Sequence, residues 1–127
     1  MKTVINTEAA PAAIGPYSQG ATSAGLVFCS GQLGIDPATG ELAQPDAAAQ
    51  AKQALINLGA VLEKAGSSYA NVVKTTVLLT SMSDFAAVNE VYGAVFHTDP
   101  PARSCFAVAA LPKGGLVEIE AIAVAGK

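Results

Sequence analysis

The segment from Asp46 to Gly66 constrains the fold of this chain more than any other part of the sequence. Asp46 is of a type preferred at the start of a helix, and Gly66 is a typical helix stop. The pattern between them predicts an amphipathic helix to about residue 65, whose apolar face needs a second layer to cover it. The apolar residues recur at helical spacing: Ala51, Leu55, Leu58 and Leu62. Polar residues occupy the other faces: Gln50, Gln53, Asn57 and Lys64.

Apolar and β-branched runs on both sides of this helix predict strands. They lie around Val4-Ile5 and over residues 26–30, 72–80, 102–110 and 116–124. A second helix is expected to begin at Ser83-Asp84 and to end before residue 99, and residues 36–40 are typical of a turn. Residues 112–115 suit a hairpin turn between the last two strands. The order β, β, α, β, α, β, β favours a single α+β domain over residues 1–127, a sheet with two helices packed on one face.

The composition limits the partners of this domain. Charged residues make up 13% of the chain, against about 25% in an average soluble domain, so other subunits are expected to cover part of its apolar surface. The net charge is −3 and the lysines are scattered, which argues against a nucleic-acid partner.

We expect no membrane partner and a cytoplasmic location, because no apolar run approaches the ~18 residues of a membrane span and the first residues do not resemble a signal peptide. Cys29 and Cys105 lack C-x-x-C spacing and are expected to be reduced thiols.

Arg103 is the only arginine, and it lies at the start of a predicted strand. A guanidinium group pairs bidentately with a carboxylate, which makes Arg103 a candidate for binding a substrate carboxylate. A structural ion pair with one of the acidic residues is an equally good interpretation from the sequence alone.

Glu118 and Glu120 alternate along the last predicted strand and therefore share one of its faces. Two neighbouring carboxyl groups can divide acid and base roles, but alternating glutamates are more often a solvated strand face. The sequence leaves both interpretations open.

Three other places hold candidate site residues. Tyr17 lies in a loop rich in glycine and proline, where it either lines a pocket or anchors the loop. Ser30 and Gly31 can offer backbone N–H groups to a ligand, although Gly31 also suits a plain turn. Cys105 shares a strand face with Arg103 but has no obvious base beside it, since the only histidine is His97. One histidine and no cluster at ligand spacing argue against a metal site.

Several separated segments resemble the RidA/YjgF family over the whole length of the chain. The most specific is Pro101-Ala102-Arg103-Ser104-x-Phe106, followed by Leu111-Pro112 and Val117-Glu118-Ile119-Glu120. Further matches are residues 12–19, Ser30-Gly31-Gln32 and residues 73–77.

The resemblance implies a chorismate-mutase-like fold, assembled as a homotrimer with ligand pockets between subunits. It also implies a 2-iminobutanoate/2-iminopropanoate deaminase, which hydrolyses reactive 2-imino acids to 2-keto acids and ammonia without a cofactor. Arg103 would bind the substrate carboxylate and Glu118 would act on the attacking water. Tyr17, the Ser30-Gly31 segment and the backbone at Cys105 would line the pocket.

The predicted hairpin leads to a hypothesis about assembly. With a turn centred on Gly114-Gly115, Glu118 would pair near Leu111, roughly 26 Å from Arg103 at about 3.3 Å per residue. Each pocket would then need Arg103 from one subunit and Glu118 from its neighbour.

Three other functions compete with the deaminase. The first is a trimer of the same family that binds keto or amino acids without turning them over. The second is a ribonuclease or translation inhibitor, against which the acidic composition weighs. The third is a chorismate-type mutase, whose dicarboxylate substrate calls for more cations than one arginine.

Overall fold

The computed structural model describes residues 1–125, which form one α+β unit around one hydrophobic core. Six strands form a mixed sheet in the order β1-β2-β3-β8-β6-β7, and β4 and β5 form a separate small hairpin. No helix within residues 1–125 is long and apolar enough to cross a membrane. The elements are β1 Thr3–Ile5, β2 Gly20–Ser23, β3 Leu26–Leu33, β4 Ile35–Asp36, β5 Glu41–Leu42, α1 Ala47–Lys64, β6 Val72–Leu79, α2 Phe85–Val95, β7 Ala102–Ala107 and β8 Val117–Val124, with short 3-10 turns at Tyr69–Asn71, Met82–Asp84 and Pro112–Gly114.

Helix α1 confirms the prediction made from its two ends. The Asp46 side chain accepts a hydrogen bond from the Ala49 N–H at 2.9 Å, and Gly66 follows the helix with a φ of 77°. The predicted apolar face is buried against the sheet. Gln50 and Asn57 are buried as well, although both belong to the polar faces of the predicted helix.

These two buried amides attach α1 to the ends of β3 and β8. The Asn57 amide donates to the carbonyl groups of Leu33 and Ile35, at 3.1 and 2.8 Å. The Gln50 side-chain oxygen accepts from the Leu116 N–H at 2.8 Å, just before β8 begins. The ends of these strands are thereby held in place, and the candidate site lies between them.

Both helices cover the same face of the sheet, as predicted. In β8 the residues that point toward the helices are buried, namely Val117, Ile119, Ala121 and Ala123. The opposite face of the sheet carries no helix and includes apolar side chains. Phe28, Phe106 and Val124 are 43%, 50% and 44% exposed there.

The predicted hairpin between the last two strands is wrong. β7 pairs in parallel with β6, and β8 lies between β3 and β6, antiparallel to both. The connection contains the 3-10 turn Pro112–Gly114, in which Lys113 has a φ of 59°. The physical reason is that β6, α2 and β7 form a β-α-β crossover, which places β7 at the sheet edge and leaves the central position for β8.

Candidate active site

A cavity of about 480 Å³ opens where β3 and β8 pair irregularly. The register between these strands shifts from Cys29 to Gln32, so the Ser30-Gly31 segment bulges out of the ladder. Four of the predicted site residues line the cavity: Tyr17, Ser30, Gly31 and Glu118. Glu120 and Lys113 also line it.

Gly31 lets the Glu118 side chain lie directly against the β3 backbone. A Cβ atom added at Gly31 would overlap the Glu118 carboxylate. The sequence had suggested that a ligand approaches the chain at this glycine. In the structure a carboxyl group of the same chain does so, and any side chain at position 31 would displace it.

The surroundings of Glu118 disfavour its charged form. Burial raises the pKa of this carboxyl group, and the nearby Glu120 carboxylate raises it further. Glu118 is half-buried and Glu120 is exposed, so they are not equivalent members of a solvated strand face. A raised pKa makes this carboxyl group a better proton acceptor than an ordinary glutamate, which suits a role in acid–base chemistry.

Ser30 fixes the loop that forms another wall of the cavity. Its hydroxyl group donates to the Ser18 carbonyl at 2.6 Å, and its N–H donates to the Gln19 carbonyl at 2.9 Å. The buried Gln19 side chain then donates to the carbonyl groups of Ala10 and Pro11. The half-exposed Tyr17 ring projects from this loop, so β3 supports the whole wall.

Arg103 lies elsewhere, against helix α2. Its Nη1 donates to the Asn89 side-chain oxygen at 2.7 Å. The guanidinium carbon lies 5.6 Å from the centre of the Phe85 ring and 4.9 Å from that of Tyr92. Within residues 1–125, the partners of Arg103 are thus a neutral amide and two aromatic rings, none of which neutralises its positive charge.

Arg103 and Glu118 point to opposite faces of the sheet. Arg103 is paired with Thr75 and Glu118 is paired with Leu78, both on β6. Thr75 and Leu78 are three residues apart on one strand, so their faces are opposite. The separation of about 26 Å expected from the hairpin is wrong. Leu78 pairs with Glu118 on one side and with Phe106 on the other, and Phe106 is only three residues beyond Arg103. The sheet itself, rather than distance along a hairpin, separates the two side chains.

Cys105 shares the Arg103 side of the sheet and does not line the cavity beside Glu118. Burial raises the pKa of its thiol, and Arg103 lowers it only in part. Burial raises the pKa of Cys29 to about 12. Both cysteines are free, as predicted, and neither has the lowered pKa of a nucleophilic thiol.

Comparison with known proteins agrees with the resemblance. Residues 7–125 match the family described as Endoribonuclease L-PSP. The chain belongs to the RidA/YjgF/L-PSP family. A 2-iminobutanoate/2-iminopropanoate deaminase from Capra hircus is 54% identical over 126 residues, which cover 99% of this chain and 92% of the goat protein.

Solved structures of this family share the fold. A putative endoribonuclease from Thermotoga maritima superposes with a TM-score of 0.96 at 50% identity, and the match covers 100% of both chains. E. coli TdcF with bound serine superposes with a TM-score of 0.92 at 46% identity, over 96% of this chain and 98% of TdcF. The six-stranded sheet with two helices is therefore the RidA/YjgF/L-PSP fold.

Sequence reasoning missed the residues that support the predicted ones. Asn89 and Tyr92 contact Arg103 from α2, and Gln19 and Lys113 line the cavity. Asn89 and Tyr92 are three residues apart and therefore share one face of a helix. This spacing identifies them as neighbours of Arg103 only once the packing of α2 beside β7 is known.

Proposed function

We propose that this protein is a 2-iminobutanoate/2-iminopropanoate deaminase, a hydrolase that converts short 2-imino acids to 2-keto acids and ammonia. The observation that carries the proposal is the position of Glu118, a half-buried carboxyl group with a raised pKa in a cavity beside Gly31. It occurs in a chain 54% identical over almost its whole length to a protein with this activity.

The active pocket, in this proposal, combines two copies of the chain. Arg103 and Glu118 face opposite sides of one sheet, so one small substrate cannot reach both on the same chain. A neighbouring copy packed on the open face of the sheet would bring its Arg103 to the cavity that contains Glu118. The exposed apolar side chains on that face and the low charge content support such packing, and the homotrimer implied by the resemblance provides three pockets of this kind.

The reaction follows from the chemistry of these two groups. Arg103 of one copy pairs with the substrate carboxylate, which fixes the imine carbon near Glu118 of the next copy. The water oxygen bonds to the carbon of the protonated imine while a water proton passes to the Glu118 carboxylate, and the C=N electron pair moves to nitrogen.

Collapse of this intermediate regenerates the base. Glu118 returns the proton to the amine nitrogen, the C–N bond breaks with its electrons on ammonia, and the C=O bond forms as the hydroxyl group loses its proton. That proton returns to Glu118 and then leaves with ammonia or solvent. No cofactor is needed for these steps.

The remaining site residues recognise the substrate. The hydrogen of the Ser30 hydroxyl group is used on Ser18, so its oxygen is available to accept a hydrogen bond from the imine nitrogen. Tyr17 forms the apolar wall, and the backbones of Gly31 and of the neighbour's Cys105 complete the pocket. We place this activity in the cytoplasm, in keeping with the two free thiols.

A binding protein without turnover is the second candidate, because TdcF has been solved with bound serine, which also carries a carboxylate. A ribonuclease fits less well despite the description of the family. The cavity is lined by two glutamates, and the net charge of −3 opposes binding of a phosphate backbone.

The test is to generate 2-iminobutanoate with a separate enzyme and to follow its hydrolysis. Wild type is expected to exceed the spontaneous rate, and Arg103→Ala and Glu118→Gln are expected to lose most of this acceleration. Lys52→Ala removes an exposed cation from α1 and should act like wild type. Unaccelerated hydrolysis by folded wild type that still binds 2-oxobutanoate would support the binding protein instead.

A further inference from the structure

The guanidinium group of Arg103 is held by α2 from two directions. Asn89 accepts from one terminal nitrogen at 2.7 Å, and the Tyr92 ring lies 4.9 Å from the guanidinium carbon. An arginine side chain has five N–H groups, so one hydrogen bond to Asn89 leaves the others for a carboxylate. The side chain is otherwise exposed.

The Tyr92 ring is itself fixed in the core. The contact that fixes it is a hydrogen bond of 2.6 Å between its hydroxyl group and the Thr75 hydroxyl group. Tyr92 is 6% exposed and Thr75 is completely buried. Thr75 is also the residue paired with Arg103 across the parallel strands β6 and β7. Thr75 and Arg103 are thus neighbours across the two strands, and Thr75 holds the Tyr92 ring that contacts the Arg103 guanidinium group.

We propose that Tyr92, fixed by Thr75, is a positioning residue that orients Arg103 for the substrate carboxylate. The inference rests on the proposed function, in which Arg103 binds that carboxylate. The negative face of the ring attracts the cation and limits the directions of its N–H groups before a ligand arrives. Burial raises the pKa of Tyr92, so the phenol stays neutral and the contact remains one between a cation and a ring.

Phe96 provides a matched control for the role of Tyr92. It lies one helical turn further along, is buried to the same extent and packs on the same aromatic cluster. The two contacts between Arg103 and an aromatic ring involve Phe85 and Tyr92 rather than Phe96. Tyr92→Leu and Phe96→Leu therefore disturb the same part of the core, but only the first removes a ring from Arg103.

The experiment measures the affinity for 2-oxobutanoate by calorimetry and the kinetics of 2-iminobutanoate hydrolysis on folded protein. We expect Tyr92→Leu to weaken 2-oxobutanoate binding about tenfold, or about 1.4 kcal/mol, and to raise KM more than it lowers kcat. Phe96→Leu should stay within about twofold of wild type because it leaves the Arg103 contact intact. Equal affinities for Tyr92→Leu and Phe96→Leu would overturn the proposal.

Isosteric variants keep the test decisive if Tyr92→Leu does not fold. Tyr92→Phe retains the ring and should stay within about threefold of wild type, while Tyr92→trifluorophenylalanine keeps the shape but weakens the negative face and should bind severalfold less tightly than Tyr92→Phe. Equal binding by these two variants would refute the positioning role.

Wild type that binds 2-oxobutanoate without hydrolysing the imine would remove the proposed enzyme but not this inference. Failure of wild type to bind 2-oxobutanoate would remove the carboxylate anchor and the inference with it.

Discussion

At the scale of single residues, the candidate site depends on one close approach and one perturbed acid. Gly31 has no side chain, and the Glu118 carboxylate occupies the space where one would be. Burial and the charge of Glu120 then favour the protonated form of Glu118. Because the two residues are adjacent in space, a change at either is expected to alter the position or the protonation of the same carboxyl group.

Gly31→Ala is expected to lower kcat/KM by about 100-fold or more, since a displacement of a catalytic group by about 1 Å has an effect of this size. The measurement is steady-state hydrolysis of 2-iminobutanoate by folded protein. Gly93→Ala is the matched control, because a Cβ atom at Gly93 on α2 meets nothing within 4 Å. Comparable activity of the two variants would show that Glu118 does not need its observed position.

Glu118→Gln is expected to change how stability depends on pH. The pKa of Glu118 in the folded protein lies above its ordinary value of 4.5. At a pH between the unfolded and the folded pKa, the native state therefore binds a proton that the unfolded chain has lost. The stability of wild type should therefore fall as pH rises through this window, and the variant should lack this part of the fall.

Urea unfolding from pH 4 to 8 at one protein concentration measures the difference. Glu118→Gln should gain stability relative to wild type as pH rises. Glu63→Gln, on the exposed side of α1, is the control for removing a carboxyl group outside the cavity. A difference between Glu118→Gln and wild type that stays constant with pH would contradict a raised pKa at position 118.

At the scale of elements, the sequence predicts features that depend on neighbouring residues, but not the pairing of strands that are distant in the chain. Asp46 and Gly66 delimit α1 because capping depends on neighbouring residues only. Strand β2 was missed, since Gly20–Ser23 is four residues long and of low β-propensity. Residues 112–115 suit a hairpin turn by their local composition, whereas the parallel pairing of β6 and β7 depends on segments that are distant in the sequence.

The candidate site residues could likewise be identified from local motifs, but their relative orientation could not. The motif segments identified Tyr17, Ser30, Gly31 and Glu118, which the fold brings to one cavity. The opposite orientation of Arg103 could not be derived, because it depends on the register of three strands that are distant in sequence. Buried amides were missed for a related reason, since the carbonyl groups they bind lie in other elements.

Asn57→Ala is expected to destabilise the fold by about 2–4 kcal/mol, because the carbonyl groups of Leu33 and Ile35 lose their donor and a small cavity forms. Denaturant unfolding measures this loss. Gln53→Ala is the control, since Gln53 is only partly buried and its amide donates to the Asn57 side-chain oxygen rather than to a backbone carbonyl group. Its expected cost is about 1 kcal/mol. Equal losses in the two variants would mean that the Asn57 bonds to Leu33 and Ile35 do not anchor α1.

At the scale of the whole molecule, the sheet divides the chemistry between its two faces. The helix-covered face carries Arg103 at its edge, and the open face carries Glu118 beside exposed apolar side chains. A single chain thus holds both groups of the proposed mechanism on opposite faces of its sheet, where one small substrate could not contact both. The proposed assembly of several copies of the chain would account for both features, because it would cover the apolar face and complete the pocket.

The most direct test is to refold Arg103→Ala and Glu118→Ala chains together and to assay the mixed oligomers for 2-iminobutanoate hydrolysis. In a cyclic trimer of randomly mixed chains, about a quarter of the pockets would receive Arg103 from one neighbour and Glu118 from the other. We expect about a quarter of wild-type activity from the mixture, although each variant alone is inactive. Mixed oligomers, verified by two affinity tags, that are no more active than the separate variants would contradict a pocket shared between chains.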